Sequence, residues 1–172
     1  MPAGNTYTAI ATQTLGSAAA SVTFSSIPGT YTDLVLVANG YNATGDGVAP
    51  RLVFNSDTAS NYSRTILSGD GSSATSSRNT NQSEIFIGNV VGWDTTSTQP
   101  AMFIAQIMNY SNTTTNKTVL ARLGAASGTY PGTEALVGLY RSTSAITNVQ
   151  VTSGSGTFAI GSTFSLYGIK NA

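Results

Sequence analysis

The chain has 172 residues, seven Lys+Arg against seven Asp+Glu, no His and no Cys, and only 8% of its residues are charged. That length suits one domain with a real hydrophobic core, but the charge content lies far below the ~25% of an average soluble domain. Without His or Cys the usual zinc, haem, iron–sulfur and thiol centres lose their best ligands. Ser-His-Asp and Cys-His nucleophiles cannot be assembled, and zero net charge gives no electrostatic pull toward nucleic acid or an acidic membrane.

The missing charge is replaced by 22 Ser, 26 Thr, 13 Asn and 18 Gly. Met1-Pro-Ala-Gly-Asn-Thr lacks a basic stretch ahead of an apolar one, so no secretory leader is expected and Met1–Thr6 reads as a flexible or arm-like N-terminus. Helical periodicity is absent. Short runs of β-branched, aromatic and aliphatic residues alternate instead with Gly, Ser, Asn and Pro clusters. In chain order they predict strands at Tyr7–Thr14, Ala20–Phe24, Asp33–Asn39, Pro50–Phe54, Tyr62–Leu67, Glu84–Val91, Ala101–Asn109, Lys117–Leu123, Glu134–Arg141, Ile146–Val151 and Thr163–Ile169, with a further short piece at Thr157–Ile160. Ten or eleven strands with frequent turn signals predict an all-β fold. The expected architecture is a single antiparallel β-sandwich, jelly-roll-like, over residues 1–172.

Two kinds of strand are distinguishable. Pro50–Asn55 and Lys117–Leu123 carry a charge beside apolar residues, as half-exposed strands do. Leu34–Ala38, Met102–Met108 and Glu134–Tyr140 are apolar on both alternating faces, and such strands need a second layer on the outer face. That layer is either an overlying loop or another subunit. The longest apolar run, Leu34–Ala38, is far too short to span a membrane. Ser68–Ser83 has one Ala and no larger apolar residue, so it is expected to be a long loop of functional or mobile character. Shorter polar loops are expected at Asn42–Val48, Asp94–Gln99, Ser111–Asn116 and Ala125–Gly132.

Candidate chemistry is sparse. The carboxylates are Asp33, Asp46, Asp57, Asp70, Glu84, Asp94 and Glu134. A glycosidase would need two of them facing across a cleft, yet most sit beside Gly, Ser or Asn, where Asp serves turn backbone. Calcium is the one metal worth naming, since it accepts all-oxygen ligation. Thr44-Gly-Asp-Gly and Ser68-Gly-Asp-Gly each offer one Asp in a Gly-rich loop, but both lack the acidic spacing of an EF-hand and read as tight turns. The Asn-x-Ser/Thr sites at Asn42, Asn61, Asn81, Asn109, Asn112 and Asn116 are what so much Asn, Ser and Thr produces by chance. No Gly-rich phosphate loop opens a helix. The expectation is therefore no enzyme, no catalytic residues, no metal and no cofactor.

Three segments together carry a resemblance: Thr12–Val37, Arg51–Ser63, and Leu139–Val151 followed by Gly156–Lys170. The chain they span resembles small virion structural proteins of tailed bacteriophages, either head decoration (cement) proteins or tail-fibre-associated β-sandwich proteins. The resemblance implies a capsid decoration protein made in the host cytoplasm and located in the virion. It implies a homo-oligomer, expected to be a trimer, whose partners are itself and the major capsid protein or other virion proteins, with no nucleic acid and no membrane. The alternative is a tail-fibre or baseplate module touching host glycans, which would favour aromatics in or beside loops. Candidate interface residues are Trp93, Tyr41, Tyr130 and Arg78.

Overall fold

The protein is described from a computed structural model over residues 6–95, 98–126 and 129–170. Met1–Asn5, most of the expected arm, lies outside the described residues, and Thr6 is held by the Lys170 N–H at 3.1 Å. The strands in chain order are β1 (Tyr7–Thr14), β2 (Ser21–Phe24), β3 (Asp33–Gly40), β4 (Asn42–Thr44), β5 (Arg51–Phe54), β6 (Tyr62–Gly69) and β7 (Ala74–Gln82). They continue with β8 (Ile85–Phe86), β9 (Ala101–Met108), β10 (Lys117–Ala125), β11 (Gly132–Tyr140), β12 (Val149–Thr152), β13 (Thr157–Phe158) and β14 (Thr163–Ile169). Among the described residues there is no helix.

All pairings are antiparallel and make an eight-stranded sheet, β1-β14-β3-β9-β10-β11-β6-β7, and a four-stranded sheet, β2-β12-β5-β8, with β13 and β4 as a small ribbon. The sheets face each other as a jelly-roll-like β-sandwich of one domain, the expected class. Period-two alternation explains the core. Val22, Phe24, Leu52, Phe54, Val149 and Val151 of the small sheet form one buried cluster with Leu34, Leu36, Phe103, Ile107, Val119, Leu123 and Leu166 of the large one. Each large apolar side chain buried there stabilises the fold by about 1.5–3 kcal/mol relative to exposure. At one end of the sandwich Tyr62 and Tyr140 stack with centroids 4.7 Å apart. At the other, Trp93 packs on Phe103, Phe158 and Phe164.

Four expectations are corrected. Ser68–Ser83 is not a long loop: β6 runs on to Gly69, a turn at Asp70–Ser73 follows, and β7 pairs along β6. An edge strand with both faces largely in water needs no apolar alternation, because ladder hydrogen bonds alone place it. Glu84–Val91 forms a strand only at Ile85–Phe86, since the backbone beyond is taken by side chains. Gly88 O accepts from Arg64, and the N–H groups of Asn89 and Val90 donate to Glu134. The three-residue β4 had no apolar signal at all. Lys117, expected on a half-exposed strand, is fully buried, with Nζ donating to the carbonyls of Thr115, Ser142 and Thr143 at 2.7–3.4 Å. Its burial holds the ammonium pKa below the usual lysine value.

Candidate functional site

The outward faces of the two sheets differ in chemistry. That of the small sheet presents Ser21, Thr23, Gln150 and Thr152 around a buried Val53, with Arg51 paired to Glu84 at 2.5 Å and lying over the Phe86 ring. The large sheet presents an apolar band. Cross-strand register sets one row as Tyr167, Val35, Gln106, Leu120, Val137, Thr65 and Arg78. The next row runs Ser165, Val37, Ile104, Arg122, Ala135, Leu67 and Ser76. Aliphatic side chains thus hold most positions on the middle strands, interrupted by Gln106 and Arg122, and Ser165, Thr65, Ser76 and Arg78 flank them.

β3, β9 and β11 are the strands read as apolar on both faces, β10 between them was read as half-exposed, and no loop among the described residues covers them. Leu120 is 50% exposed, Val137 44%, Met102 44%, Leu67 59% and Tyr7 59%. Five of the eight exposed large hydrophobics therefore lie on this one face. Tyr7, Val35, Val37, Ile104, Gln106 and Leu120 line a groove of about 590 Å³, with Arg122 beside it. Among the described residues Arg122 makes no ion pair, so the groove holds one positive group in an otherwise neutral lining. A contiguous apolar patch of this kind marks an interaction surface more often than a free one.

The expected interface residues scatter. Arg78 lies on the apolar band's flank, opposite Thr65. Tyr41, Trp93 and Tyr130 lie at the loop end of the sandwich. Tyr41 is half-buried, its OH donating to Ile160 O at 3.2 Å. Tyr130 is 43% exposed and covers Gly47, where an added Cβ would meet its ring at 2.3 Å. Trp93 is corrected: it is 0% exposed and its indole belongs to the core, so it offers no surface to a subunit or a sugar. Sequence gave no way to tell a loop-end tryptophan pointing out from one pointing in.

The same loop end gathers residues that sequence reasoning left apart. Thr95 donates to Asp46 Oδ1 through N at 2.8 Å and through Oγ1 at 2.6 Å, and these bonds hold the Asp46 carboxyl below its usual pKa. The Asp94 carboxyl is buried, and its Oδ2 accepts the Thr129 N–H. Asn42 Nδ2 donates to the carbonyls of Gly45, Val48 and Trp93. Thr44-Gly-Asp-Gly was the available signal, but Thr95 lies 49 positions from Asp46, and nothing local announces that pairing.

Ser68-Gly-Asp-Gly is the turn it was read as, Asp70 Oδ1 accepting the N–H groups of Ser72 and Ser73 at 2.8 and 2.7 Å. Glu134 lies on β11, the strand expected to start with it, and is buried there.

No family model matches this chain, and no curated protein matches it. Among solved structures it is similar to the marine PL-14 alginate lyase from Aplysia kurodai, at 8% identity and TM-score 0.31, over 83% of this chain and 70% of that one. It is also similar to a variant of the alginate lyase Aly36B in complex with alginate trisaccharide, at 7% identity and TM-score 0.30, over 81% and 72%. A protein of unknown function from Shewanella oneidensis MR-1 is similar at 9% identity and TM-score 0.23, over 100% and 82%. Two of these neighbours are enzymes, which corrects the flat expectation of no enzyme. Likenesses at these TM-scores assign no reaction, and the activity of this chain stays unassigned.

Proposed function

We propose that this chain is a bacteriophage virion structural protein, a capsid decoration protein that binds the outer shell as a homo-oligomer, and that the apolar band of the large sheet is buried between its copies. The observation that carries the reading is the contrast between the two outward faces, one exposing no large apolar side chain and one holding Leu67, Met102, Leu120 and Val137 in the open. A second copy is the fitting occupant because the band is nearly neutral. Burying Ser-, Thr- and aliphatic-lined surface against itself desolvates few charges, and Arg122, between Ile104 and Ala135, is the one charged side chain of the groove. Several modest contacts from one oligomer to neighbouring capsid subunits then combine as avidity.

The glycan-binding alternative relied on Trp93, Tyr41 and Tyr130, and the burial of Trp93 takes away its largest ring. Sedimentation of the purified chain tests the assembly half of the proposal: a defined oligomer is expected, and a monomer at tens of micromolar overturns it. Particles lacking the chain test the other half. They should lose their heads at lower temperature or in low salt, and unchanged heads would overturn the decoration role.

A further inference from the structure

The apolar band leaves unexplained the strand at one end of the large sheet. β7 pairs with β6 alone, and no strand among the described residues lies on its free side. It runs nine residues, with both faces largely in water and no large apolar side chain. Ordering such a strand costs conformational entropy, and a polar hairpin that covers no core is marginal by itself in water. Its free ladder of backbone groups is therefore the feature to account for.

Register shows which groups are free. Asp70 N–H donates to Ser73 O at 3.3 Å across the turn, and on the other side of β6 Arg141 N–H donates to Asn61 O at 2.8 Å. Alternation then turns the backbone groups of Ser63, Thr65 and Leu67 toward β11, and those of Arg64, Ile66 and Ser68 toward β7. Their β7 partners are Asn79, Ser77 and Thr75, so the N–H and C=O groups of Ala74, Ser76 and Arg78 point away from the sheet. Sheets blunt such edges with Pro, charge or a bulge. From Ala74 to Asn79 there is no Pro, Lys, Asp or Glu, Arg78 is the one charge, and the register shifts only between Asn79 and Gln82.

The opposite edge differs. β1 shifts register against β14 between Ala9 and Ala11, and Gln13 Nε2 donates to Thr23 O of the small sheet at 2.9 Å. Pairing β7 with β1 of another copy would also be head-to-tail and open-ended, whereas β7 against β7 closes on itself. We propose that β7 pairs antiparallel with β7 of a second copy about a two-fold axis at Ser76, joining two large sheets into one. Ser76 then faces Ser76, Ala74 faces Arg78, and Thr75 faces Ser77. This register uses all three free residues of each copy in about six backbone hydrogen bonds. It sets hydroxyl against hydroxyl across the axis and places each Arg78 opposite an alanine instead of its own counterpart. Ser76 stands opposite Leu67, so the joint continues the apolar band of one copy into that of the next. The pairing itself uses backbone groups and does not rest on burial of the band.

The chain has no cysteine, so Ser76→Cys alone places two thiols across the axis with Cα atoms about 5.5 Å apart, within disulfide range. The test is oxidation of this full-length variant at 0.1 mM and electrophoresis without reductant. A cross-linked dimer is expected, whereas Thr80→Cys, about 27 Å from its counterpart, stays monomeric. Ser76→Pro removes an outward N–H and leaves the β6 ladder intact. It should abolish the concentration-dependent protection of the Arg78 amide from hydrogen exchange. The Ser76 cross-link should persist when Leu120→Arg disables the band, which separates failure of that interface from failure of this one. No cross-link at Ser76, equal cross-linking at Thr80, or loss of the Ser76 cross-link with Leu120→Arg overturns the proposal.

Discussion

Ser68 Oγ donates to Glu134 Oε1 at 2.6 Å across the β6–β11 ladder, and both residues are buried. The same carboxylate accepts the N–H groups of Asn89 and Val90 at 2.8 Å each. One side chain from the large sheet thus fixes the chain segment that leaves β8, and it explains why that segment is no strand. Glu134→Ala strands three donors, and the expected cost is about 3 kcal/mol. In a chain of this size that lowers Tm by about 6–12 °C. Calorimetry checks it, and an unchanged Tm would mean the carboxylate contributes nothing to the fold.

The titrating groups set the pH profile. The Asn61 side chain and the Ala59 N–H hold the Asp57 carboxyl below its usual range. Its stabilising contribution is therefore full above about pH 4 and is lost as pH falls through the lowered value. Burial raises the hydroxyl pKa of Tyr62, Tyr110 and Tyr140. The unfolded chain then releases those protons first, near pH 10, and stability falls as pH rises beyond it. Lys117, lowered by burial, acts in the opposite sense below about pH 10.4, but it is one group against three. With no His, stability should be flat between about pH 5 and 9, and denaturant midpoints across that range check it. A step near pH 6.5 would contradict this assignment of groups.

Leu120 is the central exposed residue of the apolar band. Leu120→Arg should leave the monomer folded and weaken self-association about 100-fold, the effect of burying an unpaired charge worth roughly 3 kcal/mol. Gln150→Arg, on the outward face of the small sheet, is the control and should change nothing. Sedimentation equilibrium separates the outcomes. Equal association by both variants would move the interface off this face.

Trp93→Ala should act on stability and not on binding. Its ring packs against Phe103, Phe158 and Phe164 with centroids 5.4–6.2 Å away, and emptying that volume costs about 3–5 kcal/mol. A variant as stable as the parent would show that the indole is not held in the core.

The strands and their inward residues were readable from residue order because alternation has a period of two. Val22 and Phe24, or Leu34 and Leu36, can point only to one side together. β7 was not readable, since Ser, Thr and Asn carry the same signal in an edge strand as in a loop. The burial of Lys117 and Glu134 was not readable because a charge is buried only when partners from elsewhere satisfy it: the carbonyls of Ser142 and Thr143 for one, the amides of Asn89 and Val90 for the other.

Sequence by itself determined the all-β class, the inward-facing core and the doubly apolar strands, because each is written in the local order of polar and apolar side chains. It also ruled out histidine and cysteine chemistry by composition. Tertiary structure alone decided that no loop among the described residues covers the outward apolar face, that Trp93 points inward, and that Asp46 meets Thr95. Those outcomes depend on which distant segments the sheet order brings together, and long-range pairing leaves no mark in the residues on either side of a loop.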